Sequence, residues 1–269
     1  MDRKYAEINR KSWNSRTDAH LDSAFYDMPG FLNGNNTLNA IELELLGDLS
    51  GKSVLHLQCH FGQDTISLER LGASVTGVDL SDKAIASARS IADRLGSSAR
   101  FICCNVYDLP AHLDEQFDIV FTSYGTISWL PDLGAWASLI ARYLKPAGSF
   151  IFAEFHPVVW MFDDRFTKIS YDYFNTGPIA EQESGTYADR DAGISLEYVC
   201  WNHSMSEVVN SLIGAGLQIG VLNEYDYSPY NCFQGTVEIA PRRYRIGHLD
   251  HRIPMVFALK ATRSDRNFR

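Results

Sequence analysis

Cysteine is scarce in this sequence, and the few cysteines are not spaced as a metal site or a redox pair. There are five, an odd number, and no two of them form a Cys-x-x-Cys pattern. This argues against a disulfide framework and against a structural zinc site. We therefore expect no bound metal and a reducing compartment.

Long apolar runs are also missing. No stretch approaches the ~18 apolar residues of a membrane-spanning helix. Met1 is followed by the charged segment Asp2–Lys4, whereas a signal peptide would continue with an apolar region. We expect a cytoplasmic protein that has no membrane partner.

Basic residues are outnumbered. The chain has 24 Lys and Arg against 33 Asp and Glu, a formal net charge of −9. Binding a nucleic-acid backbone requires a basic face that neutralises phosphates. The charge thus predicts no nucleic-acid partner. We also expect a small-molecule substrate and a monomer or homodimer.

Short apolar runs alternate with helical patterns along the middle of the chain, which predicts a parallel α/β sheet with helices on both faces. The predicted strands are 53–58, 74–79, 100–104, 117–122 and 148–154, and the predicted helices begin near 63, 82 and 132. With 269 residues the chain is long enough for one elaborated domain.

The stretch Ser53–Thr65 has the pattern of a strand, a tight turn and a helix. Such a turn presents backbone N–H groups and a helix N-terminus to an anionic or zwitterionic ligand. Gly62 would let the backbone approach that ligand. Asp79 ends the second strand, 17 residues later, where a carboxylate accepts hydrogen bonds from ribose hydroxyls. A nucleoside-containing ligand is therefore expected.

Five motifs in order carry a family resemblance. They are VLHLQCHFG (54–62), VTGVDLS (75–81), FICCNVYDLP (101–110), FDIVFTSYGTISWLPD (117–132) and LKPAGSFIFAE (144–154). Together they resemble class I S-adenosylmethionine-dependent methyltransferases, within the small-molecule branch similar to the ubiquinone and menaquinone methyltransferases. The resemblance implies a Rossmann-like, seven-stranded, mostly parallel sheet whose last two strands form an antiparallel edge. It also implies S-adenosyl-L-methionine as cofactor and S-adenosyl-L-homocysteine as product.

The resemblance assigns cofactor-binding residues to the strand ends and to the N-terminal segment. These are Gln58, Cys59, His60, Gly62, Asp79, Leu80, Asn105, Val106 and Ser123, with Trp13 and Arg16 from the N-terminus. In this assignment Arg16 clamps the methionine carboxylate and Trp13 walls the site. Alternatively, Trp13 anchors the N-terminal segment to the core, and Asn105 caps a turn instead of contacting adenine.

The first motif departs from the family pattern acid-x-Gly-x-Gly-x-Gly. His56 stands in place of the acid, Gln58 and His60 replace two glycines, and Gly62 is retained. Three interpretations stay open. The loop is shifted, or the two side chains contact the methionine end of the cofactor, or they are wall residues around an ordinary site.

Four regions are expected along the chain. Residues 1–36 form a leader over the cofactor site, with a short amphipathic helix broken at Pro29-Gly30; residues 37–155 and 201–262 form the core; residues 156–200 form an inserted aromatic-rich cap; residues 263–269 form a polar tail. Strand-like pieces are predicted at 168–174 and 195–201, and a loop at 226–250.

His156 and Tyr124 follow predicted strands and are the candidates for a general base. Histidine titrates near neutral pH and is suited to deprotonating an acceptor. Alignment of the reacting atoms can also supply the catalysis without any base. In that case His156 is a loop residue and Tyr124 shapes the pocket.

The sequence thus predicts methyl transfer to a small molecule, with an O, N or C nucleophile left open. Two alternatives remain: a protein that binds S-adenosylmethionine without transferring it, and a methyltransferase acting on a macromolecule. A nucleotide-dependent oxidoreductase would need Gly-x-Gly-x-x-Gly, which His60–Thr65 does not supply.

Overall fold

A seven-stranded sheet forms the centre of the computed structural model, which describes residues 3–263. The described residues contain eleven strands, of which seven form this sheet and four form two separate hairpins. They are β1 (Ser53–Leu57), β2 (Ser74–Asp79), β3 (Arg100–Cys103), β4 (Phe117–Ser123), β5 (Leu144–Phe155), β6 (Ile179–Ser184), β7 (Ser195–Cys200), β8 (Leu217–Tyr225), β9 (Thr236–Ala240), β10 (Arg243–Ile246) and β11 (Val256–Arg263). The main sheet has the order β3-β2-β1-β4-β5-β11-β8. Its first five strands are parallel, and β11 is antiparallel to both β5 and β8. The predicted sheet is confirmed.

Seven α-helices accompany the strands in the described part of the chain. They are α1 (Arg3–Asp22), α2 (Met28–Leu32), α3 (Ala40–Leu46), α4 (Gln63–Arg70), α5 (Asp82–Leu95), α6 (Leu133–Tyr143) and α7 (Met205–Gly214). Short polar side chains begin three of them: Ser81, Asp132 and Ser204 each accept a backbone N–H from the first turn of α5, α6 and α7. No helix between residues 3 and 263 combines the length and apolar character that crossing a membrane requires.

Apolar side chains cover both faces of the sheet. On one face Trp136 of α6 packs against Phe150 and Phe152, with ring centroids 5.6 and 5.4 Å apart. On the other face α3 buries Ile41 and Leu45 in a cluster that includes β4 and β5 side chains. The sheet is therefore held rigidly between two layers.

The order of the strands reverses beside β1. The chain passes from β1 to β2 and β3 on one side and then returns to β4 on the other. In open α/β sheets the crevice at this point, outside the carboxyl ends of the strands, is the usual ligand site. Leu57, Asp79 and Ser123 end the three strands that meet there.

The leader differs from its predicted form. Helix α1 has 20 residues and packs on β7 and α5, and Pro29-Gly30 lies inside α2. Proline is tolerated there because the N–H groups of the first helical turn have no partner within the helix, so its missing N–H costs no hydrogen bond. Asp27 also stabilises this start by accepting the Gly30 N–H at 3.1 Å. The expected break at Pro29-Gly30 is thus wrong.

The cap and the following loop also differ. The strand predicted at 168–174 is absent, and β7 pairs instead with β6. The segment predicted as a loop over 226–250 contains the hairpin β9–β10. Thr236–Ala240 does alternate polar and apolar residues, but its apolar residues Val237 and Ile239 are exposed and do not belong to the core. The predicted tail beyond Arg263 lies outside the described residues.

Candidate functional site

A cavity of about 1330 Å³ lies at the carboxyl ends of β1, β2 and β4, and the leader and the cap also line it. Twelve of the thirteen predicted site residues line this cavity: Trp13, Arg16, Gln58, Cys59, His60, Gly62, Asp79, Leu80, Asn105, Val106, Ser123 and Tyr124. His156 is not among its lining residues. Folding thus brings together residues that are more than 100 positions apart in the sequence.

The first turn keeps a backbone that suits glycine although two glycines have been replaced. Gln58, His60 and Gly62 have φ values of 57°, 51° and 83°, all in the left-handed region. A non-glycine residue in this region carries strain of about 1 kcal/mol or more. The loop therefore has not been reshaped to suit the larger side chains, and the strain at Gln58 and His60 is retained.

Gly62 is needed for packing. A Cβ atom at this position would lie 2.7 and 2.8 Å from two ring carbons of Phe101. Such distances are shorter than real Cβ contacts, so any side chain would push the ring away. Gly62 is thus required by the helix–sheet contact, and because it also lines the cavity, its role in ligand approach stays a prediction.

The Gln58 and His60 side chains leave polar atoms without partners. Gln58 Nε2 donates to the Thr126 carbonyl at 2.8 Å, whereas Gln58 Oε1 and His60 Nε2 have no protein hydrogen bond. The His60 ring contacts Phe61 and Trp13, with centroids 4.1 and 5.2 Å away. Burial lowers the pKa of His60, which keeps the ring neutral. A buried polar atom without a partner is costly, so both atoms are suited to a ligand.

His56 belongs to the interior. Its Nδ1 atom is 2.9 Å from the Thr65 hydroxyl, and burial lowers the pKa of His56 to about 3. The imidazole is therefore uncharged at neutral pH. His56 stands where the family pattern has an acid, but its neutral ring supplies no negative charge.

Asp79 has the geometry of a ribose acceptor. Its two oxygens accept the backbone N–H groups of His60 and Ser81, both at 2.8 Å. Burial raises the pKa of Asp79 to about 6, although backbone N–H donors oppose the shift. A carboxylate has about four acceptor positions, so positions remain for two ribose hydroxyls. The carboxylate both fits the cofactor and fixes the first turn.

Asn105 caps a short helix. Its Oδ1 accepts the Tyr107 N–H at 3.1 Å, at the start of a 3₁₀ helix over Val106–Ala111. The capping alternative is thus what the structure shows. Asn105 also lines the cavity.

Arg16 is already engaged within the protein. It donates to Glu183 of the cap at 2.7 Å and lies over the rings of Trp129 and Tyr198, 5.3 and 5.1 Å from their centroids. Its Nε atom is buried without a partner, and the role of Arg16 as a clamp for the carboxylate stays a prediction. Trp13 lines the cavity and also packs against Trp129 at 5.2 Å, so it combines both predicted roles.

Tyr124 points to a buried acid. Its hydroxyl donates to Glu42 Oε2 at 2.7 Å, and burial raises the pKa of Glu42 to about 7. Burial also raises the pKa of Tyr124 well above its usual value. Because its pKa is raised, the phenol stays protonated at neutral pH and cannot accept a proton from an acceptor molecule. Tyr124 is therefore a residue of the cavity wall.

The proposed base role of His156 is contradicted. The histidine is buried, its Nε2 lies 2.8 Å from Glu224, and its Nδ1 accepts the Val158 N–H at 3.2 Å. Both ring nitrogens are thus used within the fold. The sequence placed His156 after a strand end, but it could not show to which side of the sheet the ring turns.

Several lining residues were not predicted as site residues. They are Thr37, Asp64, Thr126, Trp129, Tyr187 and Tyr198. Asp64 carried a usable signal because it stands in the first turn of the helix that follows the glycine motif. The others lie in loops and in the cap, where no pattern fixes their direction. No group of three or more His, Cys, Asp or Glu suited to a metal occurs within residues 3–263.

Comparisons with known proteins agree with this geometry. A family model described as a methyltransferase domain matches residues 54–148. An uncharacterized methyltransferase of Synechocystis sp. is 34% identical over 131 residues, 48% of this chain and 59% of that protein. A ubiquinone biosynthesis O-methyltransferase of Thiobacillus denitrificans is 30% identical over 150 residues, 56% of this chain and 60% of the relative. The chain thus spans about three fifths of these curated relatives.

A solved structure shows the same fold. The crystal structure of an S-adenosylmethionine-dependent methyltransferase from Mesorhizobium loti has a TM-score of 0.58 at 20% identity. The match covers 86% of this chain and 100% of that one. Residues 54–148 thus match a methyltransferase domain, and the chain has the fold of S-adenosylmethionine-dependent methyltransferases.

Proposed function

We propose that the protein transfers a methyl group from S-adenosylmethionine to a small-molecule acceptor. One observation carries this proposal: a continuous cavity joins the strand ends around Asp79 to an aromatic region around Tyr230. Its volume of about 1330 Å³ exceeds the roughly 300–1,000 Å³ of a site for one drug-sized ligand. The cavity therefore has room for a donor and an acceptor together.

The chain's own residues would hold the donor by its polar groups. S-adenosylmethionine supplies a methyl group on a sulfonium sulfur, which a nucleophile displaces when the three atoms are aligned. Asp79 accepts from the ribose hydroxyls, and Gln58 Oε1 accepts from the amino group of the methionine part. Trp13 closes the site from the leader and limits the access of water.

A small acceptor is favoured by the walls of the cavity. The leader contributes Trp13 and Phe25, and the cap contributes Glu183 and Tyr187. An acceptor has to fit between these segments, which does not suit a folded macromolecule. The name of the Thiobacillus relative places that protein in the synthesis of ubiquinone, itself a small molecule.

The proposal is tested with purified protein, S-adenosylmethionine and mixtures of phenols, amines, carboxylic acids and thiols. Release of S-adenosylhomocysteine and the mass of a methylated product are measured. We expect release above the rate without acceptor for at least one class. Binding of the donor with no turnover on any class would contradict the proposal and favour a protein that only holds the cofactor.

A further inference from the structure

One region of the cavity combines aromatic rings with a carboxylate. Its aromatic members, the aromatic cage, are Phe25, Tyr26, Tyr124, Tyr187 and Tyr230. Phe25 lies 5.5 Å from the ring of Tyr187 and 5.7 Å from that of Tyr230, and Tyr124 lies 5.1 Å from Tyr230. The cage is thus one contiguous cluster built from four segments of the chain.

Asp64 lies beside this cage. Burial raises the pKa of Tyr26, Tyr124 and Tyr230, and the negative charge of Asp64 adds to each shift. Asp64 lines the same cavity as these rings, and it accepts a hydrogen bond from Ser123, the residue before Tyr124. The raised pKa values keep the phenols neutral, so their rings present unionised faces to the cavity.

The Asp64 carboxylate has hydroxyl partners but no counter-ion among residues 3–263. The Thr37 hydroxyl donates to it at 2.5 Å and the Ser123 hydroxyl at 3.4 Å. Arg242 acts on it only from a distance, since its guanidinium donates to the carbonyls of Thr37 and Leu38. Burial raises the pKa of Asp64. A buried carboxylate of this kind is stabilised by a ligand that brings a positive charge.

The net charge of the residues that line the cavity also favours a cationic ligand. Among the described residues, seven lining side chains are carboxylates: Asp27, Asp64, Asp79, Asp163, Asp164, Glu181 and Glu183. Three are guanidinium groups, and each of these donates a hydrogen bond within the protein: Arg16 to Glu183, Arg190 to the Cys232 carbonyl, and Arg242 to the two carbonyls named above. The lining thus has an excess of negative charge that a cationic ligand would offset.

We propose that the acceptor is a basic amine, bound as an ammonium ion in the aromatic cage with Asp64 as its counter-ion. This inference rests on the proposed function and specifies its substrate class. Aromatic cages bind alkylammonium groups through cation–π contacts. A carboxylate beside the cage also reduces the repulsion that the ammonium would otherwise feel from the positively charged sulfonium of the donor.

The same carboxylate completes the chemistry. Asp64 takes one proton from the ammonium, which leaves a neutral amine with a free electron pair. The amine nitrogen then forms a bond to the methyl carbon while the carbon–sulfur bond breaks and its electron pair stays on sulfur. The product is a methylated ammonium ion and a neutral thioether, and the proton on Asp64 passes to solvent.

The binding step is tested without turnover. Protein saturated with S-adenosylhomocysteine is titrated calorimetrically with tetramethylammonium and, in parallel, with tert-butanol, a neutral molecule of similar size. We expect binding of the cation only. Asp64→Asn should weaken it at least tenfold, and Phe25→Leu, which removes a ring but no hydrogen bond, should weaken it severalfold.

A matched control is available in Asp164→Asn. This substitution removes the same charge from an exposed residue that lines the cavity outside the cage. Tetramethylammonium affinity should change less than twofold. Equal losses in Asp64→Asn and Asp164→Asn would overturn the cage, because only the total charge would then matter.

Turnover gives the second test. Primary and secondary amines are compared with alcohols of the same carbon skeleton, and we expect methylated product from the amines alone. Product from the alcohols alone would overturn this inference while leaving the proposed function intact. Failure of the wild-type chain to bind S-adenosylhomocysteine would instead contradict the proposed function, so the two failures are distinguishable.

Discussion

The two ends of the cavity are built in different ways. At the donor end the polar contacts run between neighbours of one βαβ unit, as when Asp79 holds the backbone of His60 and Ser81. At the acceptor end the contacts join distant segments, as when Phe25 stacks on Tyr230. The donor end is thus fixed by the sheet itself, whereas the acceptor end depends on how the leader and the cap pack over it.

The two ends of the cavity should therefore differ in how much substitution they tolerate. Strand ends of a packed sheet are rigid, so they hold a bound ligand in a fixed position. Leader and cap residues lie on segments that tolerate change. The comparison predicts large losses of cofactor affinity from substitutions at the strand ends and small ones elsewhere.

The largest effect is expected for Asp79→Ala. Loss of the ribose contact should weaken binding of S-adenosylhomocysteine by about 1.5–3 kcal/mol, roughly tenfold to a hundredfold or more. Isothermal titration calorimetry measures it. Asp93→Ala, an exposed acid on α5, is the control and should bind like the wild type. Equal affinities in all three proteins would remove Asp79 from the site.

A paired substitution at Gln58 separates binding from strain. Gln58→Ala and Gln58→Gly both remove the amide, and each should weaken binding of S-adenosylhomocysteine about threefold to tenfold, the loss of one hydrogen bond. Only glycine relieves the left-handed backbone. The Gly variant should therefore exceed the Ala variant in free energy of unfolding by about 1 kcal/mol. Chemical denaturation would show it, and equal stabilities would argue against strain in the turn.

Binding should also depend on pH. The pKa of Asp79 is raised to about 6 by burial, so the carboxylate is ionised above that pH and protonated below it. Affinity for S-adenosylhomocysteine should be constant at pH 7–8 and fall as the pH drops through about 6. Titrations across this range in the wild type and in Asp79→Asn provide the test. A fall of the same size in the variant would assign the effect to another group.

The smallest effect is expected for His156→Gln. The ring bonds to Glu224 and to a backbone N–H within the fold. Affinity for S-adenosylhomocysteine and the turnover rate should stay within twofold of the wild type, while stability falls by about 1 kcal/mol through the lost contacts. A variant that is stable and binds the cofactor but has no turnover would restore His156 as a catalytic base.

The same contrast explains what the sequence could predict. The positions of the parallel strands, the strand order and the place of Asp79 at a strand end follow from local apolar patterns and motif order, which a single sequence displays directly. Asp64 depends on hydroxyls 27 and 59 residues away in the chain, and no periodicity reports such contacts. Arg16 was expected to meet the cofactor, but its partner Glu183 is 167 residues away and could not be identified before folding.

The first turn shows a further limit. The sequence reveals that Gln58 and His60 replace glycines, but it cannot show whether the backbone adapts. The structure shows that it does not, since both residues keep a positive φ. The unpartnered polar atoms of these two side chains depend on that backbone and become visible only with it.

The most direct test of the account is a calorimetric titration of the purified chain with S-adenosylmethionine, S-adenosylhomocysteine and NAD in parallel. The account predicts micromolar binding of both sulfur compounds and none of NAD. Absence of binding for both sulfur compounds would contradict it, because it would mean that Gln58 and His60 have closed the donor end of the cavity.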